Sequence, residues 1–584
     1  MLEFDNNRYK RALRSNGAFY TYVYFACSTR DSLAAAMTVS KAAWQNTDAM
    51  THPLQALELS EGEQQHMLYR FSAFSSEPMK EDVYGMKDYK YCTMLLPDEL
   101  TAYTHLPRTS EGGVFSEVND IPHFACPSGL KGELYLGKII NAERWTMANG
   151  YNTPYDYRVE EAALMHGIIT GASRSGKTVC AMRFIKELAH IKRKKTGKRL
   201  RIVCLDPKRD WRGLAKFIEP DRFRFYSLGN VNFHPIKLNP WKIPRGVTPQ
   251  IWIDGIIDIY CRAYGLLERG KQMIADVVYE LYDRAGVFEA CDDENWQNIV
   301  PDLSSVVCFE EIYKAMERKR DEIAASKKSG FDTMDAYSRL LDRLSTFGRK
   351  YSIERRLFGT SEGMGIDEMI GDDDVTVLES KGLENTFKNF IFGAITSGFY
   401  KFALAHDKGY LSEDQYETVL VIEEANEVLT GSDNAGAANN GGGGQSSGMS
   451  GQSEFEQIVD QAAGYGLFII AITQKISMMP SSLIANAGIK FIGRLGANQD
   501  IQTAAIAIGK EPRYEDRDVV KWFPRAPIGW FVCQTSRGFD YKMAEPILVA
   551  VDKLNIPTPT NEDLEEILLE KHLAKLGFSG NSRI

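Results

Sequence analysis

No two of the 9 cysteines in this chain of 584 residues form a C-x-x-C pair, so neither a zinc site nor a dithiol motif is visible. The cysteines are scattered singly, and Cys27, Cys180, Cys204 and Cys533 sit inside apolar runs, the pattern of free buried thiols in a reducing compartment. Long hydrophobic runs are missing too. No apolar stretch approaches the ~20 residues that a membrane-crossing helix needs. The opening MLEFDNNRYKRALRSNG has charges but no apolar segment behind them, which argues against a secretory leader. The expectation is a cytoplasmic globular chain with no integral membrane segment. An excess of positive charge is also absent. The 69 Lys and Arg against 78 Asp and Glu give a formal charge of -9, no global sign of a nucleic-acid binder, although a local basic lining would suffice for one.

What is present starts with GASRSGKT, Gly171 to Thr178, which fits G-x-x-x-x-G-K-[ST]. It follows the apolar run Gly167 to Thr170 and precedes Val179, Met182, Ile185, Leu188 and Ala189 at helical spacing. Strand, glycine loop and helix in that order cradle phosphate: glycines let backbone N–H groups turn inward and the helix start favours anions. Lys177 reaches the β- and γ-phosphates and the Thr178 hydroxyl ligates Mg²⁺. The nucleotide-binding set is therefore Gly171, Ser173, Arg174, Ser175, Gly176, Lys177, Thr178 and Val179, with ATP or GTP as ligand. Arg174 inside the loop is a further cation for phosphate or for a neighbouring subunit.

Apolar strands alternating with helices around this motif predict a mostly parallel, doubly covered α/β sheet. Strands are expected at 167–170, Leu200 to Leu205, Asp374 to Leu378, Thr418 to Ile422, Gly466 to Thr473 and Ile489 to Arg494, with helices at 176–192 and Asn385 to Ala405. The length divides as an N-terminal α+β unit over 1–130, a core over 131–240, an inserted helical subdomain over 241–370, the second part of the core over 371–555, and a C-terminal helix and tail over 556–584. The stretch Thr430 to Ser453, rich in Gly, Ser and Asn, cannot bury a core and is expected to be flexible. Ile191 to Arg201 packs seven cations together, either a solvated helix end or a patch facing nucleic acid. Near the C-terminus, NEDLEEILLEKHLAKLGF reads as a helix with Asn561 as its N-cap.

A P-loop needs a carboxylate on a neighbouring strand for its metal, and a second acid for the attacking water. Thr418 to Ile422 ends in Glu423 and Glu424. Adjacent residues at a strand end can aim at different partners, so Glu423 is assigned to Mg²⁺ and Glu424 to the water. The strand Leu467 to Ile472 closes in Thr473-Gln474, and Gln474 either senses the γ-phosphate or caps a turn.

With these motifs assembled, the sequence resembles the HerA/FtsK superfamily of RecA-like hexameric ATPases. ELYLGKII, HGIITGASRSGKT, RIVCLDPKRDW, NPW near Asn239, DVTVLESKGL, VLVIEEANEVL and YGLFIIAITQKISMMP followed by ANAGIKFIGRL carry the likeness, which spans roughly Gly132 to Val551. The resemblance implies a RecA-like P-loop core, ATP hydrolysis with Mg²⁺ at the boundaries of a homohexamer, and double-stranded DNA threaded through the ring. It also places Asp206 beside the site as an accessory carboxylate, though the residue reads equally as a strand-end cap. Partners of such motors include a nuclease, a defence effector or a secretion complex. The related type IV secretion and conjugation ATPases move protein, and a scaffold that switches with nucleotide and hardly turns over is a third possibility. Two departures matter: Glu423 and Asn426 stand where a D-E-A-H-like run has Asp and His, and no arginine occupies Asp460 to Gly466. Arg494, closing FIGR, is then the best remaining arginine finger, or else a structural salt-bridge residue.

Overall fold

The computed structural model describes residues 10, 19–21, 23, 25, 27–44, 59–72, 80–83, 86–89, 93–96, 121–142, 150–292, 296–299, 301–325, 331–369, 374–405, 416–429, 454–510, 517–537, 542–554 and 558–575. The Gly-rich segment Thr430 to Ser453 lies outside them. The chain divides into two compact units, Met1–Asn119 and Asp120–Ile584. In the first, strands β1 (Phe19–Thr21) and β4 (Thr93–Leu95) pair antiparallel, as do β2 (Lys80–Val83) and β3 (Met86–Tyr89). Helices Arg30–Trp44 and Glu61–Ser72 complete the described part. At the start of the second helix, Ser60 donates from both its N–H and its hydroxyl to Glu63 Oε2, at 2.9 and 2.7 Å.

The second unit is built on one sheet. Its strands are β5 (Leu134–Ile140), β6 (Asn152–Val159), β7 (His166–Thr170), β8 (Arg199–Asp206), β9 (Phe223–Ser227), β10 (Val375–Glu379), β11 (Tyr416–Glu423), β12 (Leu467–Thr473), β13 (Ala487–Ile492), β14 (Trp530–Arg537), β15 (Lys542–Met543) and β16 (Ile547–Val551). The order across it is β6-β5-β16-β14-β13-β7-β12-β11-β8-β10-β9, with β15 on β14. From β13 to β9 every pairing is parallel. The strands beyond β13 add antiparallel. This is the α/β, RecA-like arrangement expected of the core, enlarged along one edge.

Burial on both faces explains why the parallel strands read as continuous apolar runs. In β11, Val419 and Val421 pack with Cys180, Phe184, Ile185 and Leu188 of the helix Lys177–Leu188. Leu420 and Ile422 enter the opposite cluster, with Ile253, Ile256 and Ile257 of the helix Pro249–Tyr264 and with Phe390, Ile391 and Ile395 of the helix Asn385–Ala405. The latter helix is apolar nearly all round because neighbours cover it. Phe309 and Phe347 stack at 4.1 Å in the same cluster, so the helices between β9 and β10 share a core with this face of the sheet.

Two terminations differ from the sequence reading. The helix after the P-loop stops at Leu188 rather than at 192, and several of the cations beyond it form ion pairs instead of stabilising a helix end. Arg193 meets Glu161 at 2.9 Å and Glu417 at 3.1 Å, Lys194 meets Glu133, and Arg199 meets Asp374. Arg201 lies 4.7 Å over the Tyr416 ring. Near the C-terminus the helix Asn561–Lys575 is capped by Thr560, whose N and Oγ1 exchange hydrogen bonds with Asp563. Asn561 instead accepts a bond from Arg212 at 2.7 Å.

Candidate active site

The carboxyl ends of β7, β12, β11 and β8 lie side by side, where ligands of parallel sheets bind. The P-loop leaves β7 and is tied to its neighbours through the backbone. Gly171 donates to the Thr473 carbonyl at 3.4 Å, Ala172 to that of Arg494 at 2.5 Å, and Gly529 to that of Ser175 at 3.0 Å. Gly176 turns the loop at φ 97°, a left-handed value that glycine adopts without strain. Among the described residues no acceptor takes the N–H groups of Gly176, Lys177 or Thr178. They are the unsatisfied donors of a helix start and form a ready anion site. The Ser175 hydroxyl is buried and unpartnered, and a Cβ on Gly171 would come within 2.5 Å of it. Lys177 is buried, with Nζ resting 3.4 Å from the Ala172 carbonyl. Burial draws its pKa down despite the nearby Glu424.

The two acids at the end of β11 diverge. Glu423 is 3 % exposed. Its Oε1 lies 3.4 Å from the Thr178 hydroxyl, which donates to it, and its Oε2 accepts from the Trp211 indole at 2.9 Å. Burial pushes this carboxyl up, against that hydrogen bond and the charge of Lys208. Glu424 adopts φ 54° and ψ 43°, a strained conformation of the kind found at functional sites. Its Oε1 accepts from Gln474 Nε2 at 2.9 Å and from the Lys208 ammonium. Burial alone would raise Glu424; the bonds from Lys208 and Gln474 and the charge of Lys177 hold it below the usual range. The structure thus brings Lys177, Thr178, Glu423, Glu424 and Gln474 together.

Asp206 is a strand-end cap: its oxygens accept the backbone N–H groups of Lys208 and Arg209 at 2.8 Å and of Trp211 at 3.0 Å. Full burial and the charge of Glu423 push it up to about 7 all the same. Three residues that the motif reading left out shape the site. Lys208 and Trp211 bind the two acids, and Gly529 approaches Gly176 so closely that a Cβ on the latter would sit 3.4 Å from its Cα. RIVCLDPKRDW contained the first two, but nothing in their spacing assigns them to Glu424 and Glu423. Arg494 touches the P-loop through its backbone carbonyl. Its guanidinium and that of exposed Arg174 have no partner among the described residues. Ser173 is exposed on the same loop, and Val179 is exposed in the first turn of the helix that follows.

The donor set fits magnesium. A P-loop ion takes few protein ligands and completes its shell with phosphate and water, and the Thr178 hydroxyl beside the Glu423 carboxylate supplies that pair. Among the described residues, no group of three or more His, Cys, Asp or Glu is placed to hold a metal ion.

Neither a protein-family model nor a curated protein matches this chain. Similar solved structures include VirB4 of Thermoanaerobacter pseudethanolicus, 15% identical over 74% of this chain and 99% of that one, with a TM-score of 0.49. The plasmid coupling protein TrwB in complex with a non-hydrolysable ATP analogue is 13% identical over 75% and 98%, with a TM-score of 0.46. The same protein with ADP and Mg²⁺ is 12% identical over 75% and 99%, also with a TM-score of 0.46. Among the described residues, no helix is long and apolar enough to cross a membrane.

Proposed function

We propose that the chain is an ATP hydrolase of the HerA/FtsK type, a cytoplasmic motor subunit that works in a homohexameric ring and moves double-stranded DNA. The observation that carries the hydrolytic part is the pairing of Thr178 with Glu423 while Glu424 and Gln474 face the same P-loop. The loop N–H groups, Ser175 and Lys177 bind the phosphates. Thr178 and Glu423 hold Mg²⁺, which neutralises charge on the β- and γ-phosphates when bound. Glu424 takes the proton of the attacking water, Gln474 orients that water or the γ-phosphate, and the fixed dipoles stabilise the charge that develops. Arg494 or Arg174 supplies a cation across the subunit boundary. Residues 1–130 serve as the module that docks a nuclease, defence effector or other partner.

One observation favours a second cargo. Three of the seven cations of the basic cluster, Arg193, Lys194 and Arg199, are engaged in ion pairs, which reduces the charge free for a phosphate backbone; a secretion or conjugation motor moving protein does not need it. The test is ATP turnover by the full chain with and without long double-stranded DNA. Stimulation that weakens steeply with salt is the expected result for the DNA motor. Turnover indifferent to DNA favours the protein motor, and binding without turnover a nucleotide-switched scaffold.

A further inference from the structure

Two cations, Lys177 and Lys208, share the mouth of this site with the carboxylates of Glu423 and Glu424, and of these two acids only Glu424 is in direct contact with Lys208. Lys177 projects from the P-loop helix and Lys208 from the turn after β8, and the Glu424 carboxylate accepts the Lys208 ammonium on Oε1. Gln474 donates to that same oxygen at 2.9 Å, so both donors converge on Oε1, while Oε2 has no partner among the described residues. Lys208 is not a buried structural ion: its side chain is 44 % exposed, against 16 % for Glu424. An ammonium on a flexible stem that is this open exchanges partners readily. Lys177 and Lys208 are close enough for their charges to act on each other, an unfavourable arrangement that a polyanion relieves.

We propose that Lys208 is an exchangeable counter-ion, holding Glu424 while no triphosphate is bound and passing to the γ-phosphate when one binds. This rests on the assignment of the P-loop as an ATP site. A γ-phosphate carries more charge than one carboxylate and offers three acceptor oxygens, so it competes well for the ammonium. Once Lys208 leaves, Oε1 keeps only the Gln474 bond and Glu424 is available to the water. Nucleotide diphosphate lacks the group that draws Lys208 away and leaves the Lys208–Glu424 pair closed. The base is thereby coupled to the presence of its substrate.

The test is equilibrium binding of β,γ-imido ATP and of ADP, each with Mg²⁺, to the full chain as wild type, Lys208→Met, Lys208→Arg, Glu424→Gln and the Lys208→Met/Glu424→Gln double variant. Lys208→Met is expected to weaken the triphosphate analogue about tenfold and to leave ADP within about twofold, the size of one charged hydrogen bond. Lys208→Arg should recover most of the loss. Glu424→Gln removes the competing carboxylate and is expected to tighten the analogue only where Lys208 is present. Equal affinity of wild type and Lys208→Met for the analogue, or an effect of Glu424→Gln that is the same with and without Lys208, overturns the exchange. If no variant binds either nucleotide, the ATP site itself is refuted, an outcome recognisably different from wild-type binding that ignores Lys208.

Discussion

Replacing Trp211 with Phe isolates one hydrogen bond at the metal carboxylate. Trp211 is fully buried; its indole donates to Glu423 Oε2 at 2.9 Å, and its backbone N–H, which the substitution keeps, donates to Asp206 at 3.0 Å. A bond to a charged acceptor contributes about 1.5–3 kcal/mol, and the smaller ring adds a cavity cost of roughly 1 kcal/mol. The nucleotide-free protein should therefore lose about 2.5–4 kcal/mol by urea unfolding. Losing the indole also raises a carboxyl that burial already raises. A carboxyl whose folded pKa lies above its unfolded value costs stability once the pH exceeds the unfolded value, in full above the folded one. The penalty should thus grow from mildly acidic to neutral pH, and in a Glu423→Gln background it should shrink to the cavity part. The same variant should need about 10–100-fold more Mg²⁺ for half-maximal nucleotide binding, as loss of a group supporting a metal ligand does. A penalty equal at both pH values and in both backgrounds, with Mg²⁺ dependence unchanged, refutes the assigned role.

Asp206, held at about 7 by burial and Glu423, binds a proton in the folded state that the unfolded chain has released. Stability of the nucleotide-free protein should fall as pH rises from about 4 to about 7, by at most about 1.4 kcal/mol per pH unit from this group, and Asp206→Asn should flatten that slope in pH-dependent unfolding. Arg212 is 2 % exposed and donates to Glu379 Oε1 at 2.9 Å. Arg212→Met leaves a buried carboxylate to Arg209 alone and should cost about 3 kcal/mol or more, read from the urea midpoint. Arg494→Ala subunits, inactive alone if the guanidinium acts on a neighbour's nucleotide, should regain turnover when mixed with Lys177→Ala subunits; failure of mixing to restore any turnover removes the trans role.

The parallel strands were legible because each is buried on both faces, so Val419 to Ile422 and Leu467 to Ile472 read as uninterrupted apolar runs. The P-loop was legible because its glycines answer to backbone needs that are local. The end of the following helix at Leu188 was not, nor was the pairing of the cations beyond it, because Glu161, Glu133 and Glu417 approach Arg193 and Lys194 only in the folded chain. Thr560 rather than Asn561 caps the last helix for a similar reason: the side chain of Asn561 is drawn to Arg212, far away in sequence. Within the site, Glu423, Glu424 and Gln474 were readable as polar ends of apolar strands. Lys208 and Trp211 were not, since their roles arise from how the turn after β8 folds back over β11.

The most direct measurement is Mg²⁺-dependent ATP binding and single-turnover cleavage by wild type, Lys177→Ala and Glu424→Gln. Wild type should bind and cleave ATP, Lys177→Ala should lose most binding, and Glu424→Gln should bind ATP at least as well as wild type while cleaving it about 100-fold more slowly or worse. Cleavage by Glu424→Gln at the wild-type rate, or undiminished ATP binding by Lys177→Ala, would contradict the assignment of this P-loop and its paired glutamates as a hydrolytic site.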